Sequence, residues 1–138
     1  MITNNELTEG VEAGLSSDKP HILVAEDNLA NQELMAAQLA LLGYAAKFAD
    51  NGVEALKLWN TEEFQFLLTD IRMPEMDGYE LIKAIRSITP DDVTLPIIAV
   101  TANALKSDIE KCLEIGADDV LAKPFSLEAL KQILEKWT

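Results

Sequence analysis

Five short apolar runs, separated by helical patterns, constrain the fold of this chain more than any other feature of its sequence. The central runs are almost continuously apolar, at residues 22–24, 66–68 and 96–100. Strands of this kind are buried on both faces, which is typical of a parallel sheet covered by helices. Because crossovers between parallel strands are right-handed, the pattern predicts a doubly wound α/β fold of three layers.

Start and stop signals set the expected bounds of these elements. The strands are predicted at residues 21–25, 45–49, 65–69, 95–101 and 119–122. The helices are predicted at residues 30–42, 52–60, 78–87, 104–115 and 127–137. Asn51 and Asp77 each precede a glutamate by three positions, which is the spacing of a capping box. Gly43 and Gly116 suit left-handed helix ends.

The first 19 residues differ from the rest of the chain. They are polar and acidic, contain Gly10, Gly14, Ser16 and Ser17, and show no sustained apolar period. Such a composition is typical of linkers and disordered segments. We therefore predict a lead-in at residues 1–19 and one domain at residues 20–138.

Composition excludes several functional classes. The 24 acidic and 11 basic residues give a net charge of −13, which argues against binding to nucleic acid. A single cysteine and a single histidine are too few for an internal disulfide, a CxxC site or a catalytic triad. No apolar run reaches the roughly 18 residues of a membrane span, and the first residues lack the basic-then-apolar order that is typical of a signal peptide. A cytoplasmic domain without direct membrane contact is expected.

Charged side chains follow the ends of three predicted strands. Glu26 and Asp27 follow the first strand, Asp70 follows the third, and Lys123 follows the fifth. The carboxyl ends of parallel strands lie along one edge of a sheet, so we expect these groups to converge. Three carboxylates there suit Mg²⁺, which prefers oxygen ligands.

The side chains at this edge are suited to phosphoryl transfer. An ionised Asp70 beside a cation can attack phosphorus and form an acyl phosphate. Thr101, at the end of the fourth predicted strand, offers a hydroxyl group. Lys123 offers a positive charge to the phosphoryl oxygens and stabilises charge in the transition state. The sequence therefore predicts a phosphoryl-transfer site at this edge.

An ordered set of motifs carries a family resemblance. The motifs are Glu26-Asp27-Asn28, Asp70 with Met73-Pro74 and Asp77-Gly78, Thr101-Ala102-Asn103-Ala104 and Lys123-Pro124-Phe125. This set resembles the receiver domain of two-component signalling, the response-regulator or chemotaxis-type receiver, over about residues 19–137. The resemblance implies a flavodoxin-like fold with a five-stranded parallel sheet in the order 2-1-3-4-5 and helices on both faces.

The resemblance also implies a role for each matching position. The implied Mg²⁺ ligands are Glu26, Asp27, Asp70 and the backbone carbonyl of Arg72. Asp70 is the implied acceptor of phosphate from a phosphohistidine, and Thr101 and Lys123 would bind the phosphoryl oxygens. The Lys123–Pro124 bond is expected to be cis. A domain of this kind promotes its own phosphorylation and dephosphorylation.

One position departs from the family pattern. Three residues before Lys123, where the family often carries a switch aromatic, this chain has Val120. An aromatic ring that rotates inward behind Thr101 is therefore impossible at that position. The standard output through the fourth helix, and dimerisation through that face, are not expected, and we predict a monomer in isolation.

Two origins remain open within the family. The first is the receiver of a hybrid sensor histidine kinase, which exchanges phosphate with a histidine kinase or a histidine phosphotransfer domain. For this origin we expect a parent chain anchored in the inner membrane. The sequence Leu41-Leu42-Gly43-Tyr44 looks like such receivers. The second is a diffusible single-domain response regulator that binds a target protein when phosphorylated.

A docking surface for the partner is expected beside the phosphorylation edge. Its predicted members are Asn28, Asn31, Gln32 and Met35 on the first helix, with Pro124 and Phe125 after the last strand. Met35 is ambiguous between core and contact, because an exposed thioether would suit an adaptable apolar interface. Leu34, Leu39 and Leu42 are expected to face the sheet.

Other functions fit the sequence less well. A haloacid-dehalogenase-type phosphatase carries a DxD motif, and Asp70-Ile71-Arg72 lacks the second acid. A nucleotide-binding domain needs GxxxxGK or GxGxxG, and neither motif occurs. A purely structural flavodoxin-like module leaves the acids at the strand ends unexplained.

Overall fold

The computed structural model describes residues 21–91, 93–103 and 105–137. The predicted lead-in lies outside these residues. The strands are β1 (His21–Ala25), β2 (Ala45–Ala49), β3 (Phe66–Asp70), β4 (Ile97–Thr101) and β5 (Asp119–Ala122). The helices are α1 (Leu29–Leu41), α2 (Gly52–Thr61), α3 (Gly78–Ile88), α4 (Lys106–Glu114) and α5 (Leu127–Trp137).

All five strands pair in parallel, in the order β2-β1-β3-β4-β5. The predicted doubly wound fold and its strand order are therefore confirmed. The chain reverses its direction of winding between β1 and β3, which places a crevice outside the carboxyl ends of these two strands. Ligands of open α/β sheets bind in that crevice.

Alternate residues of each central strand enter separate cores on the two faces of the sheet. Leu23, Leu67 and Ile97 pack with buried residues of α2, α3 and α4 on one face. Ile22, Leu68 and Ile98 pack with buried residues of α1 and α5 on the other face. Because both faces are covered, these strands need no polar positions, and this explains their continuous apolar runs.

Of the two expected capping boxes, the one formed by Asp77 and Glu80 at the start of α3 is complete. At the start of α2 the side chain of Asn51 accepts a hydrogen bond from the Glu54 N–H, but the Glu54 carboxylate pairs with Lys57 and does not complete the box. Gly43 and Gly116 adopt positive φ angles of 89° and 123°. These angles favour glycine, so both positions end a helix as predicted.

The inward face of α1 differs from the prediction. Leu34 was expected to face the sheet, but its side chain is 56% exposed, so this expectation was wrong. Met35 and Leu39 are buried, and Leu42 packs against the same core. Within the described part of the chain, no helix is long and apolar enough to cross a membrane.

Candidate functional site

The predicted site residues lie at the carboxyl edge of the sheet. Asp70 is the last residue of β3 and Thr101 is the last residue of β4, while Glu26 and Lys123 directly follow β1 and β5. The register pairs Ala25 with Thr69 and Thr101 with Ala122, so the strands end at nearly the same level. This alignment brings together side chains that are far apart in sequence.

Three carboxyl groups meet in this crevice. Glu26, Asp27 and Asp70 each contribute a carboxylate oxygen, and these oxygens all lie within 4.8 Å of one another. Glu26 is buried, Asp27 is exposed, and Asp70 lies between them in exposure. The group therefore opens to solvent on the side of Asp27.

Lys123 provides the positive charge within the cluster. Its Nζ lies 2.8 Å from Glu26 Oε1 and 3.1 Å from Asp70 Oδ2. Three carboxylates against one ammonium leave two negative charges when all the groups are ionised. A small divalent cation would neutralise that excess, and carboxylate oxygens are its preferred ligands.

Burial and charge act against each other on these groups. Burial raises the pKa of Asp70, and the Glu26 charge adds to this, while Lys123 opposes it. Burial also acts to raise the pKa of Glu26, but hydrogen bonds from Lys123 and the Asn28 N–H outweigh it, and the pKa is lowered. Burial acts to lower the pKa of Lys123, but its two carboxylate partners raise it. The ammonium is therefore held in its charged form.

The loop after β1 is fixed by its own polar groups. Asn28 N–H donates to Glu26 Oε2 over 3.0 Å, and Asn28 Oδ1 accepts from Asn31 N–H at the start of α1. The Gln32 amide, which was predicted to lie on the docking surface, donates to the Glu26 carbonyl and to Asp50 Oδ1. Its side chain is therefore directed at the acidic loop.

The loop after β3 surrounds Asp70. Ile71 N–H donates to Asp70 Oδ1 over 2.9 Å, and Gly78 N–H donates to the Ile71 carbonyl over 2.8 Å. A Cβ atom at Gly78 would lie 2.3 Å from the Asp70 carbonyl oxygen, so only glycine fits this approach. Arg72, whose carbonyl is the predicted metal ligand, is exposed two residues beyond Asp70. Glu75 lies in the same loop with a positive φ of 68°.

Thr101 is buried and its hydroxyl already has partners. Thr101 Oγ1 donates to the Asn103 carbonyl over 3.1 Å and accepts from the Asn103 N–H over 3.0 Å. These bonds close a turn at the start of the loop into α4. The Lys123–Pro124 bond is cis, as expected. Val120 packs against the core beneath α2, α3 and α4.

A groove of about 470 Å³ opens beside Lys123. Its lining residues are Glu26, Asn31, Leu34, Met35, Ala102, Lys123, Pro124 and Phe125. Four predicted docking residues, Asn31, Met35, Pro124 and Phe125, are among them. Asn28 and Gln32 are not, and Met35 is 3% exposed, so it contributes mainly to the core.

The sequence did not indicate that Leu34 is exposed or that the Gln32 side chain donates hydrogen bonds to Glu26 and Asp50. Leu34 and Met35 are adjacent apolar residues on a helix rich in alanine and leucine, and the apolar period did not separate inward from outward positions. The hydrogen bond between Gln32 and Asp50 joins residues 18 apart in sequence, and no sequence motif predicts it.

Comparison with known protein families matches residues 22–135 to the response regulator receiver domain. The chain is 45% identical over 119 residues to the sensor histidine kinase RcsC of Salmonella typhi, covering 86% of this chain and 12% of RcsC. It is 36% identical over 140 residues to the sensor histidine kinase GacS of Pseudomonas protegens, covering 100% of this chain and 15% of GacS. The chain thus spans a small fraction of these relatives.

Solved structures show the same fold. The receiver domain of sensor histidine kinase PA1611 from Pseudomonas aeruginosa, with magnesium in its active-site cleft, aligns with a TM-score of 0.78 and 39% identity, over 86% of this chain and 97% of that one. The receiver domain of Ssk1 from Saccharomyces cerevisiae, in complex with the histidine phosphotransfer protein Ypd1, aligns with a TM-score of 0.78 and 30% identity, over 86% and 88%.

These comparisons agree with the geometry of the edge. The family match covers nearly all described residues, and the motifs that it spans include the carboxylates, the threonine and the lysine of the crevice. The chain belongs to the response regulator receiver domain family, the phosphoacceptor domains of two-component signalling.

Proposed function

We propose that Asp70 accepts the phosphoryl group and that it does so with Mg²⁺ in the crevice. The observation that carries this proposal is the position of the Asp70 carboxylate, which lies within 4.8 Å of two other carboxylates and 3.1 Å from the Lys123 ammonium at the edge of the sheet. The side chain of Asp70 is 12% exposed, so one side of the carboxylate can be reached from solvent.

The donor set fits a magnesium ion. Glu26, Asp27 and Asp70, with the carbonyl of Arg72, would hold it, because these oxygens are hard ligands and the cluster carries excess negative charge. The magnesium in the cleft of the PA1611 receiver supports this assignment. When bound, the ion would neutralise charge on the carboxylates and on the phosphoryl oxygens.

The residues of the chain perform the transfer itself. An Asp70 oxygen attacks phosphorus in line; the new O–P bond forms as the P–N bond to the donor histidine breaks, and the imidazole leaves with the bonding electron pair. Lys123 stabilises the charge on a phosphoryl oxygen. The Thr101 hydroxyl donates to another phosphoryl oxygen once it has released the Asn103 carbonyl.

A phosphorylation experiment tests the role of Asp70. Incubation with acetyl phosphate and Mg²⁺ should add one base-labile phosphoryl group, measured by intact mass. Asp70→Asn keeps the shape of the side chain but removes the nucleophile, so labelling should be lost. The control is Asp91→Asn, which should label normally. Asp91 is exposed and lies in the loop before the start of β4, whereas Asp70 lies at the end of β3. Full labelling of Asp70→Asn would refute the assignment.

We further propose that the chain is the receiver of a hybrid sensor histidine kinase. The match to RcsC and GacS supports this origin. The domain would then act in the cytoplasm, with its parent anchored in the inner membrane. The alternative, a diffusible regulator, is supported by the alignment with chemotaxis protein CheY4 of Vibrio cholerae, which covers 99% of that chain with a TM-score of 0.80. A kinase core upstream of Met1 in the open reading frame would decide for the hybrid kinase.

The partner, a histidine phosphotransfer domain, would dock on the outer face of α1 and on the groove beside Lys123. Leu34 and Leu41 are 56% and 75% exposed, and the alanines at positions 30, 37 and 40 share their exposure. A face with so few charges is unusual on a chain of net charge −13. The complex of the Ssk1 receiver with Ypd1 supports a partner of this class.

A titration locates the docking surface. Amide shifts on adding the histidine phosphotransfer domain encoded nearest the parent gene should concentrate on α1 and on the residues after Lys123. Leu34→Ala should weaken binding by about tenfold, because central apolar contacts carry much of the binding energy. Leu113→Ala removes an exposed leucine from α4 and should have little effect. Shifts confined to α4 and β5 would instead favour the diffusible regulator.

A further inference from the structure

The side chain of Gln32 joins three segments around the acidic crevice. Its Nε2 donates to the Glu26 carbonyl over 2.6 Å and to Asp50 Oδ1 over 2.8 Å. Gln32 lies on the first half of α1, and Asp50 directly follows β2. One amide group therefore connects α1, the loop after β1 and the loop after β2.

The carbonyl that Gln32 holds belongs to the peptide group between Glu26 and Asp27. Its orientation sets the direction in which the backbone enters Asp27. The flanking groups have separate tethers: Glu26 N–H donates to the Ala49 carbonyl over 3.0 Å, and Asn28 N–H donates to Glu26 Oε2 over 3.0 Å. The side chain of Asp27 is exposed, so its position depends on the backbone on both sides.

We propose that Gln32 is a positioning residue for Asp27 and that Asp50 holds Gln32 in the required orientation. The inference rests on the proposed magnesium site and names a residue that acts on it indirectly. Asp50 accepts one amide hydrogen, and the other remains for the Glu26 carbonyl. A carboxylate acceptor forms a stronger hydrogen bond than a neutral one, so the charge of Asp50 fixes which way the amide faces.

The effect should appear in metal affinity. Residues that orient metal ligands from outside the coordination sphere typically change affinity by about 10- to 100-fold when they are replaced. Gln32→Ala should weaken Mg²⁺ binding by about tenfold, because the peptide before Asp27 loses its tether. Gln132→Ala is a matched control, since Gln132 donates to Glu128 on the surface of α5.

A double-mutant cycle separates positioning from the charge of Asp50. The Mg²⁺ dissociation constant is measured by amide-shift titration for the wild type, Gln32→Ala, Asp50→Ala and the double variant. In the wild-type background, Asp50→Ala should raise the Mg²⁺ dissociation constant markedly. When Gln32 is already alanine the bridge is absent, so the fold-increase caused by Asp50→Ala should be at least three times smaller. Additive effects would show that Asp50 acts by charge alone and would overturn the proposed bridge.

A measurement without metal tests the tether between Gln32 and the Glu26 carbonyl separately from the proposed function. The N–H of Asp27 lies in the same peptide group as the Glu26 carbonyl, so ¹⁵N relaxation of that amide reports the mobility of the tethered peptide. In chelator, Gln32→Ala should make this amide more mobile, and Gln132→Ala should not. Unchanged mobility would overturn the role of Gln32. Failure of the wild type to bind Mg²⁺ at millimolar concentration would refute the magnesium site, while the relaxation result would still decide the tether.

Discussion

At the scale of single residues, the structure concentrates unfavourable features around Asp70. Glu75 has a left-handed backbone, and two carboxylates share one ammonium nearby. Strained conformations and crowded charges of this kind are found at functional sites, where the surrounding structure maintains them. Their individual contributions to stability can be measured by substitution.

Glu75→Gly should stabilise the domain relative to a matched control. A left-handed conformation costs a non-glycine residue about 1–2 kcal/mol, and glycine removes this cost. Glu63→Gly changes the same charge and the same chain entropy at another exposed loop position. Urea unfolding should therefore show Glu75→Gly to be more stable than Glu63→Gly by about 1–2 kcal/mol. Equal stabilities would mean that Glu75 carries no strain.

Lys123→Ala should destabilise the metal-free domain by about 3 kcal/mol, because a buried Glu26 carboxylate loses its partner. Lys47→Ala removes a pair with Glu62 in which both side chains are exposed, so it should cost less than about 1 kcal/mol. Urea unfolding in chelator measures both losses. Mg²⁺ should reduce the cost of Lys123→Ala, since the cation supplies the missing positive charge; an unchanged cost would contradict this account.

At the scale of elements, the agreement between sequence and structure follows the physical origin of each signal. The bounds of β1, β2, β5 and α5 agree with the prediction. Burial on both faces marks β1, whereas the edge strands β2 and β5 are only partly buried and are preceded by the turn glycines Gly43 and Gly116. β4 begins at Ile97, two residues later than expected, since Pro96 has no N–H for the sheet. The outward face of α1 could not be predicted, because its apolar residues surround the helix.

The contact between β5 and α5 predicts a pH dependence of stability. Burial acts to raise the pKa of Asp119, but hydrogen bonds from Trp137, the Val120 N–H and Lys136 lower it below its ordinary value. A carboxyl group whose pKa is lower in the folded state stabilises the fold above its unfolded pKa of about 3.9. That stabilisation is lost as the pH falls through the folded value.

Asp119→Asn tests this linkage. The variant should be less stable than the wild type by about 1–2 kcal/mol at neutral pH, and the difference should shrink at acidic pH, where Asp119 is protonated. Urea unfolding followed by tryptophan fluorescence measures both, since Trp137 donates its indole N–H to this carboxylate over 3.0 Å. Asp91→Asn provides the control for charge. A difference that does not depend on pH would exclude the linkage.

At the scale of the whole molecule, topology brings together residues that the sequence separates widely. Glu26 and Lys123 lie 97 positions apart and form a 2.8 Å ion pair, because parallel strands end at one edge. The convergence of the carboxylates was therefore predictable from strand order. The hydrogen bond from Gln32 to Asp50 was not predictable, since it depends on the conformations of the loops after β1 and β2, and strand order does not determine these conformations.

Cations should stabilise this domain, whose net charge is −13, in two ways: by general screening and by binding at the crevice. Any salt should raise the melting temperature slightly by screening repulsion among surface carboxylates. Mg²⁺ should add a site-specific effect by mass action, about 1.4 kcal/mol at ten times its dissociation constant. For a domain of this size, that stabilisation corresponds to a rise of about 3–8 °C.

Melting curves in MgCl₂ and in NaCl at equal ionic strength distinguish the two effects. The wild type should melt at a higher temperature in MgCl₂. Asp27→Asn removes one carboxylate of the cluster and should respond to both salts alike, because only screening is left once the site is weakened. Asp91→Asn changes the net charge by the same amount and should retain the magnesium response. If the wild type melts equally in the two salts, the excess charge of the crevice does not hold a divalent cation.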